Sequence, residues 1–377
     1  MTRRGHHEGS IYKRADGRWA ATVTLGYEGS KRKRKTFYGE TRKEVQEQLT
    51  KALADLQHGV PLPNERLTVG AFLARWLEES VRPAKRPKTY ASYAQVVRLY
   101  LQPALGRRAL AKLTVPDVQT LINQMFAAGR SPRTVQYAHA LLRAALNNAV
   151  KWGLVARNVA TLVDAPGPSP QELLFLSPEE ARSFLEAIRG DRLEALYTVA
   201  LAIGLRPGEA LGLRWQDVDL QAGILRVQVA LQRIDGKLVV DELKTRRSRR
   251  KLALPQFAIT ALRAQHSRQD MERQAAGVRW EELGLVFSTR LGRPLGQRNV
   301  IRCFRRTLKK AGIAHRRFYD LRHTCASLLV VQGVHPRVVM EILGHSQISI
   351  TMNTYSHVIP QMQQEAVRRL DDLLGSS

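Results

Sequence analysis

The first part of the chain alternates short apolar and polar stretches in a pattern typical of strands. Three strands separated by turn residues are predicted there, at 10–13, 18–25 and 35–38. A helix is predicted to begin at Thr41, which can form a capping box with Glu44, and to end near Gln57. Residues 1–62 are therefore predicted to form a small domain of three strands and one helix.

Beyond this domain the apolar residues recur every three or four positions, which is the spacing of one helix face. Four amphipathic helices are predicted, and they begin at Thr68, Thr89, Thr114 and Ser131. Together they predict a helical bundle over residues 67–165. The stretch 164–170 contains three prolines and excludes both helix and strand pairing, so it is the best candidate for a linker.

The last part of the chain mixes the two patterns. Helices beginning at Ser177 lead into a β-rich island, with strands predicted at 224–229, 237–240 and 249–254, and further helices follow. Residues 172–377 are therefore predicted to form one α+β domain. The whole chain is expected to be multidomain and mainly α with small β sheets, made of a three-stranded sheet with a helix, a four-helix bundle and the α+β domain.

Composition adds a strong charge signal. The chain has 60 Lys and Arg against 33 Asp and Glu, a formal net charge of +27. Such an excess costs self-repulsion that a polyanion relieves, so nucleic acid is the expected partner, although a ribosomal or membrane-surface protein would share the charge. Two cysteines, Cys303 and Cys325, are too few for a disulfide framework or a metal cluster and favour a reducing cytoplasm. No apolar stretch is long enough to span a bilayer, and residues 1–10 do not form a secretion signal.

Several motifs in the last domain carry candidate chemistry. Arg206 lies in GLRPGEALGL, at the end of an apolar helix, and Glu209 is close enough to pair with it. Arg322 lies in DLRHT near a predicted helix start, and His345 (LGHS) and Tyr355 (MNTYSH) follow. Taken singly, these residues fit a structural ion pair or ordinary packing as well as they fit catalysis.

A further motif is the cationic segment 243–254, predicted to be a hairpin whose tip carries Lys244, Arg246 and Arg247. Such a tip can be a solvated loop that contacts phosphates without specificity. Alternatively, Lys244 stands at a strand end, where it can be held rigidly enough to donate a proton.

In this combination and order, the motifs resemble the active-site motifs of the tyrosine recombinases, the phage-integrase family. The resemblance covers essentially the whole chain: residues 1–62 are similar to the arm-type DNA-binding domain of lambda-like integrases, and the bundle resembles their core-binding, SAM-like domain. It implies two catalytic arginines, a hairpin lysine, a late histidine and a tyrosine nucleophile, which are Arg206, Arg322, Lys244, His345 and Tyr355. It also implies that Glu209 supports the first arginine. The residues Thr245, Ser248 and Arg250 fit the KTxxSxR pattern of the hairpin.

One position departs from the family pattern. Where the family commonly has a histidine, three residues before the second arginine, this chain has Tyr319. A tyrosine hydroxyl can still hydrogen-bond a phosphate oxygen, but with an ordinary pKa of about 10 it is a poorer base than imidazole at neutral pH. Tyr319 is therefore expected to support the site. His323, one residue after Arg322, would point elsewhere on the helix.

The resemblance implies a cleavage step in which Tyr355 joins the DNA through a 3′-phosphotyrosine and frees a 5′-hydroxyl. Arg206 and Arg322 would stabilise charge on the phosphate with help from His345, and Lys244 would protonate the leaving oxygen. No cofactor is expected, because the chain has no residue set typical of a metal site and no GxxxxGK[ST] loop for ATP.

The implied function is site-specific DNA recombination that integrates and excises a phage or other mobile element. It would act in the bacterial cytoplasm, at the nucleoid and away from membranes. Expected partners are double-stranded DNA with core-type and arm-type sites, three further protomers in a synaptic homotetramer, an excisionase and DNA-bending accessory proteins. The residues expected to contact DNA are Lys31, Arg32, Lys33, Arg34, Lys35, Arg246 and Arg247.

Alternatives stay open on sequence alone. A recombinase that resolves chromosome or plasmid multimers would use the same chemistry, but such enzymes generally lack an arm-binding domain. A catalytically inactive DNA-binding regulator would not need all five catalytic residues, and a type IB topoisomerase would not carry the two N-terminal domains. The basic stretch 290–317 is either DNA-facing or a solvated face. The amphipathic segment 361–374 packs either on its own domain or on a neighbouring protomer.

Overall fold

The structure, a computed structural model, describes residues 9–28, 31–57, 66–167, 174–234, 236–243, 248–344, 367–368, 371–372 and 374–375. At 25–28, 31–33 and 55–57 it describes the backbone alone. The chain forms two compact units, Met1–Ser169 and Pro170–Ser377. The predicted fold class, mainly α with small antiparallel sheets, is confirmed, whereas the division into three domains stays a prediction. Within the described ranges, no helix combines the length and the apolar run needed to cross a membrane.

The N-terminal sheet has the three strands that were predicted. They are antiparallel in the order β1–β2–β3: β1 Ser10–Lys13, β2 Trp19–Glu28 and β3 Lys31–Gly39. Helix α1, Arg42–Gln57, is capped by Thr41, whose Oγ1 accepts the Glu44 N–H at 3.2 Å. The small core between helix and sheet contains Ala21, Val23, Val45 and Leu49. The basic run 31–35 lies inside β3 rather than ahead of it.

Four helical rods form the bundle that follows. Their segments are α2 Val69–Trp76, α3 Arg82–Ala84, α4 Pro87–Val96, α5 Gln102–Leu105, α6 Val115–Ala127 and α7 Pro132–Lys151. A π-helical turn joins α2 to α3 and another joins α4 to α5, so each pair is one rod. The apolar faces of the rods share one core, which includes Phe72, Trp76, Leu101, Leu121 and Leu142.

Local capping chemistry sets the helix starts in this bundle. Thr68 and Ser131 each accept a hydrogen bond from the backbone N–H three residues on, at 3.2 and 3.3 Å, as predicted. The predicted start at Thr89 is wrong, because α4 already begins at Pro87. Proline fixes φ near the helical value and needs no N–H partner in the first turn, so it starts the helix ahead of the threonine.

Within its described residues, the second unit combines helices with two small sheets. Its elements are α8 Pro178–Ala187, α9 Glu194–Ile203, α10 Pro207–Leu211, β4 Val218–Asp219, β5 Ile224–Val227, β6 Val229–Ile234, β7 Lys237–Glu242, β8 Arg250–Ala253, α11 Gln256–Ala276, α12 Gln297–Lys310, α13 Asp320–Val331 and α14 Pro336–Leu343. One antiparallel sheet has the order β4–β5–β8, and β6 pairs with β7. The core of the second unit includes four aromatic rings, those of Phe184, Tyr197, Phe304 and Phe318. Neighbouring ring centroids lie 5.5 to 6.0 Å apart.

The cationic segment is not the simple hairpin that the sequence predicts. β7 pairs with β6 and β8 pairs with β5, so the strands on its two sides belong to different sheets. The predicted strand 224–229 is likewise two strands, because β5 ends at Val227 and β6 begins at Val229. Apolar alternation shows which face of a strand is buried, but not which strand lies beside it.

Candidate active site

Arg206 stands on a tight turn between α9 and α10. α9 ends at Ile203, and Gly204 adopts the left-handed conformation with φ of 62°, which favours glycine. A Cβ on Gly204 would lie 2.6 Å from the side chain of Leu343, so the close packing also requires glycine. Arg206 follows with extended backbone, and 35% of its side chain is exposed. The turn thus presents a partly exposed guanidinium at the end of an apolar helix.

The buried carboxylate of Glu209 holds Arg206. Glu209 is only 2% exposed, and its Oε1 accepts from Nη1 of Arg206 at 2.7 Å. Its Oε2 accepts from the Arg206 backbone N–H at 3.1 Å and from Nη2 of Arg250 at 2.9 Å. Burial opposes ionisation of this carboxyl, but the guanidinium groups of Arg250 and Arg206 outweigh that effect and keep the pKa of Glu209 below its ordinary value. Glu209 is therefore a charged bridge between two arginines.

Arg322 lies in the first turn of α13 and is almost fully buried, with 1% exposed. Its Nη1 donates to the carbonyl of Gly204 at 2.7 Å, and its Nη2 donates to the carbonyl of Leu343 at 2.6 Å. Burial, followed by repulsion from Arg206, lowers the pKa of Arg322 to about 10. The group is still a cation at neutral pH.

Arg250, which the sequence identifies only as the last residue of the KTxxSxR pattern, is a member of the same cluster. It opens β8, and 6% of its side chain is exposed. Besides its bond to Glu209, its Nε donates to the carbonyl of Ile342 at 2.7 Å and its Nη1 to that of Ser248 at 3.2 Å. Arg250 shares a face of β8 with the buried Leu252, since alternate residues of a strand face the same way. That alternation is the sequence signal that could have identified it.

All three guanidinium groups converge on the C-terminal end of α14. Three consecutive carbonyls each accept one of them: Ile342 from Arg250, Leu343 from Arg322, and Gly344 from Arg206 at 3.1 Å. Carbonyls of a last turn lack helical partners and carry partial negative charge, so they stabilise cations. Gly344 ends the helix with φ of 65°. The chain therefore leaves α14 beside three arginines, and the next residue in the sequence is His345.

The remaining predicted catalytic residues, Lys244, His345 and Tyr355, lie outside the described residues, as do Arg246 and Arg247. Of the segment 361–374, predicted to pack or dock, the structure describes 367–368, 371–372 and 374, and the rest lies outside the described residues. Of the predicted site, the structure thus brings together Arg206, Glu209 and Arg322.

Tyr319 lies at the edge of this cluster. It immediately precedes α13 and is 38% exposed, and its ring packs edge-on against the imidazole of His323 with centroids 5.1 Å apart. Burial lowers the pKa of His323. The backbone carbonyl of Tyr319 accepts the Arg322 N–H at 3.1 Å, so the two residues share the first turn of the helix.

The described basic side chains of β3 are those of Arg34 and Lys35, and they lie on opposite faces of the sheet because successive side chains of a strand alternate. The side chains of Lys31, Arg32 and Lys33 lie outside the described part of the structure. Lys35 stands opposite the buried Val23, on the face that packs against α1. Arg34 is exposed on the other, open face. The exposed rings of Tyr12 and Tyr38 share that open face. Arg34 and Lys35 therefore do not belong to one basic surface.

α12 carries a second basic surface. Its buried side contains Val300, Phe304 and Leu308. Its exposed side has no acidic residue and carries Arg298, Arg302, Arg305, Arg306 and Lys309. This arrangement fits a polyanion better than a protein core.

Guanidinium groups brought together in this way have the chemistry to bind an oxyanion. Two arginines whose donors reach neighbouring atoms can bind two oxygens of one phosphate, and charge-assisted hydrogen bonds of this kind are among the strongest in proteins. Across the part of the chain that the structure describes, no group of His, Cys, Asp and Glu is arranged to hold a metal ion.

Comparison with known proteins identifies relatives over nearly the whole chain. Residues 174–362 match the phage integrase family, and residues 68–126 match the N-terminal SAM-like domain of phage integrases. A protein of Caldanaerobacter subterraneus subsp. tengcongensis described as tyrosine recombinase XerC-like is 33% identical, over 94% of this chain and 96% of its own length. An integrase of Streptomyces ambofaciens is also 33% identical, over 93% of this chain and 92% of its own.

A solved structure has the same fold. The integrase of transposon Tn1549, in complex with a circular-intermediate DNA, matches with a TM-score of 0.68 at 23% identity. The match covers 81% of this chain and 99% of that one.

Proposed function

The chain belongs to the phage integrase family, and on this premise we propose how its residues divide the work of a site-specific DNA recombinase. It is an enzyme that cuts and rejoins DNA. One observation carries the proposal: Arg206 and Arg322, which lie far apart in the sequence, donate to adjacent carbonyls at the end of α14. The residue that follows those carbonyls is His345, and Tyr355 lies in the same C-terminal stretch.

The two arginines stabilise the phosphate during attack. Negative charge grows on the non-bridging oxygens in the transition state, and preorganised cations at that place lower the barrier. Arg206 uses Nη1 and Nη2 once each and is partly exposed, so it has donors left for an oxygen. Arg322 is buried in this structure, so its contact with phosphate requires that its guanidinium be uncovered. His345 adds one more donor.

Tyr355 is the nucleophile and Lys244 the general acid. The phenolate oxygen of Tyr355 forms a bond to phosphorus while the bond to the 5′-oxygen breaks, and that oxygen takes a proton from Lys244. Nearby guanidinium groups favour the phenolate by lowering the phenol pKa. The ester keeps the energy of the broken bond, so attack by a 5′-hydroxyl reverses the step. Tyr319 hydrogen-bonds the phosphate from the edge of the site.

The reaction integrates and excises a mobile element. The similarity to an integrase of Streptomyces ambofaciens supports this role over the resolution of multimers. So does the N-terminal sheet, whose open face carries Arg34 together with the exposed Tyr12 and Tyr38 and suits an arm-type DNA site. Core-type DNA is bound by the bundle and by the basic side of α12. Strand exchange assembles four protomers at the nucleoid, and an excisionase and DNA-bending proteins set its direction.

Trapping of a covalent intermediate tests the proposal. The substrate is a nicked duplex that carries the attachment sequence flanking the gene. After cleavage, the short fragment with the freed 5′-hydroxyl dissociates, so that religation fails and the covalent intermediate accumulates. We expect protein-linked DNA with the unmodified chain and none with Tyr355→Phe, while both bind the duplex equally.

Tyr137→Phe is the matched control, because Tyr137 is an exposed tyrosine of the bundle. It should form the covalent product at the unmodified rate. Covalent product from Tyr355→Phe would show that another residue attacks. Binding without any covalent product, from the unmodified chain as well, would identify an inactive regulator instead.

A further inference from the structure

Arg250 joins three separate parts of the second unit through one side chain. Its guanidinium donates to Glu209 on α10, to the Ile342 carbonyl at the end of α14, and to Ser248 just ahead of its own strand, at 2.9, 2.7 and 3.2 Å. Each of its three nitrogens is used once. With 6% of the side chain exposed, these contacts are shielded from solvent, which strengthens them.

The geometry around Glu209 makes Arg206 dependent on Arg250. Oε1 of Glu209 accepts from the Arg206 side chain, and Oε2 accepts from Arg250 and the Arg206 backbone. Without Arg250, the carboxylate loses the side-chain donor that fixes its second oxygen. It can then rotate, and the Arg206 guanidinium that it holds rotates with it.

The end of α14 depends on the same side chain. A Cβ on Gly344 would lie 3.2 Å from Cδ and Nη1 of Arg250, so the arginine lies flat against the glycine where the helix ends. The adjacent carbonyl of Ile342 accepts its Nε. Arg250 thereby sets the distance between α10, which carries Glu209, and the point at which the chain continues towards His345.

We propose that Arg250 is a positioning residue for recombination: it keeps Arg206, held by Glu209, in register with the end of α14 from which the residues of the nucleophile segment follow. This role rests on the proposed function above. It requires the planar fork of arginine, because a lysine ammonium keeps the charge but cannot reach Glu209 and the Ile342 carbonyl in fixed directions at once.

The test compares Arg250→Lys with Arg192→Lys. Arg192 makes a similar fork elsewhere in the unit, with 26% of its side chain exposed. It donates to both oxygens of Glu272, at 2.8 and 2.7 Å, and to the carbonyl of Ser288 at 2.8 Å. Three quantities are measured on each full-length variant, namely the single-turnover cleavage rate at saturating nicked duplex, the Kd for that duplex, and the Tm.

For Arg250→Lys we expect a cleavage rate lower by on the order of 100-fold, as for a small misplacement of reacting groups, with a Kd within about threefold of the unmodified chain. The Tm should fall no further than in Arg192→Lys, which should cleave at the unmodified rate. If Arg250 had a structural role alone, the cleavage rate and the Tm of Arg250→Lys would fall together, or Arg250→Lys and Arg192→Lys would cleave at the same rate. Either result would overturn the proposal. Cleavage by the unmodified chain in the same assay keeps this outcome separate from failure of the proposed function.

A double substitution tests the route through Glu209. If Arg250 acts by way of this carboxylate, Glu209→Gln with Arg250→Lys should cleave about as slowly as the slower single variant, since residues that act as a unit are not additive. Losses that multiply would show that Arg250 acts independently of Glu209 and would refute the positioning role.

Discussion

At the scale of single residues, the site consists of one carboxylate among three arginines. Glu209 is buried and faces Arg206 and Arg250, and its charge is held by both. Removing one partner of a buried ion pair usually costs more than the pair contributes, because the other charge stays buried without compensation. Glu209 is therefore the residue whose substitution should destabilise the site most, although the arginines are the residues that would contact DNA.

Replacing Glu209 by glutamine should change how stability depends on pH. The pKa of Glu209 is lower in the folded chain than its ordinary value of 4.5, so its stabilising contribution is complete above that pH and is lost as the pH falls through the folded value. We expect Glu209→Gln to reduce the free energy of unfolding at neutral pH by about 3 kcal/mol. Below pH 4.5 the difference between the two proteins should shrink.

Urea unfolding at a series of pH values between neutrality and pH 3 measures this difference directly. If the difference in the free energy of unfolding between the unmodified chain and Glu209→Gln stays constant on acidification, the charge of Glu209 contributes nothing to stability.

At this scale, contacts between chain neighbours can be predicted from the sequence, whereas contacts between distant residues cannot. Arg206 and Glu209 are three residues apart across a helix start, so their pairing follows from spacing alone. The partners of Arg250 lie on α10 and α14, far away in the chain. Its neighbour Arg249 is half exposed and pairs with Glu242, so composition alone cannot tell which arginine of this basic segment is buried.

At the scale of elements, helices were easier to predict than sheets. Helix starts are set by contacts within four residues, and the caps at Thr68, Ser131 and Ser177 lie where the sequence predicts them. Strand partners depend on contacts across the fold. The separate sheets on either side of residues 244–247 were therefore not predictable from apolar alternation.

The alternation of β3 predicts opposite outcomes for adjacent basic residues. Arg34→Ala should weaken binding to arm-type DNA and reduce the slope of log Kd against log salt by about one, because one phosphate contact is lost from the open face. Lys35→Ala, on the face towards α1, should leave the slope unchanged. Fluorescence anisotropy with a labelled arm-site duplex measures both, and equal effects of the two substitutions would rule out recognition by one face.

At the scale of the whole molecule, charge is the property that the sequence revealed most directly. The chain has a formal net charge of +27. Some of its basic residues lie on the exposed side of α12, and Arg34 of β3 lies on the open face of the N-terminal sheet. A surface that neutralises several phosphates releases their counterions, so binding to DNA is expected to be driven largely by this release.

Affinity for duplex DNA should therefore fall steeply with salt. For six or more phosphate contacts, we expect the association constant to drop about 1,000-fold or more between about 50 and 200 mM salt. Titration of a labelled core-site duplex over this range measures it, with a duplex of unrelated sequence as the control for non-specific binding. A nearly flat dependence would contradict binding through the basic surfaces.

Two left-handed glycines of the site, Gly204 and Gly344, limit any attempt to retarget this enzyme to new genomic sites. Libraries can vary the exposed residues of β3 and α12 without touching the core, since those side chains face outwards. Gly204 and Gly344 allow no such freedom, because a side chain at the first would strike Leu343 and at the second would crowd Arg250. Directed evolution of specificity and preservation of the cutting machinery are therefore separable goals in this scaffold.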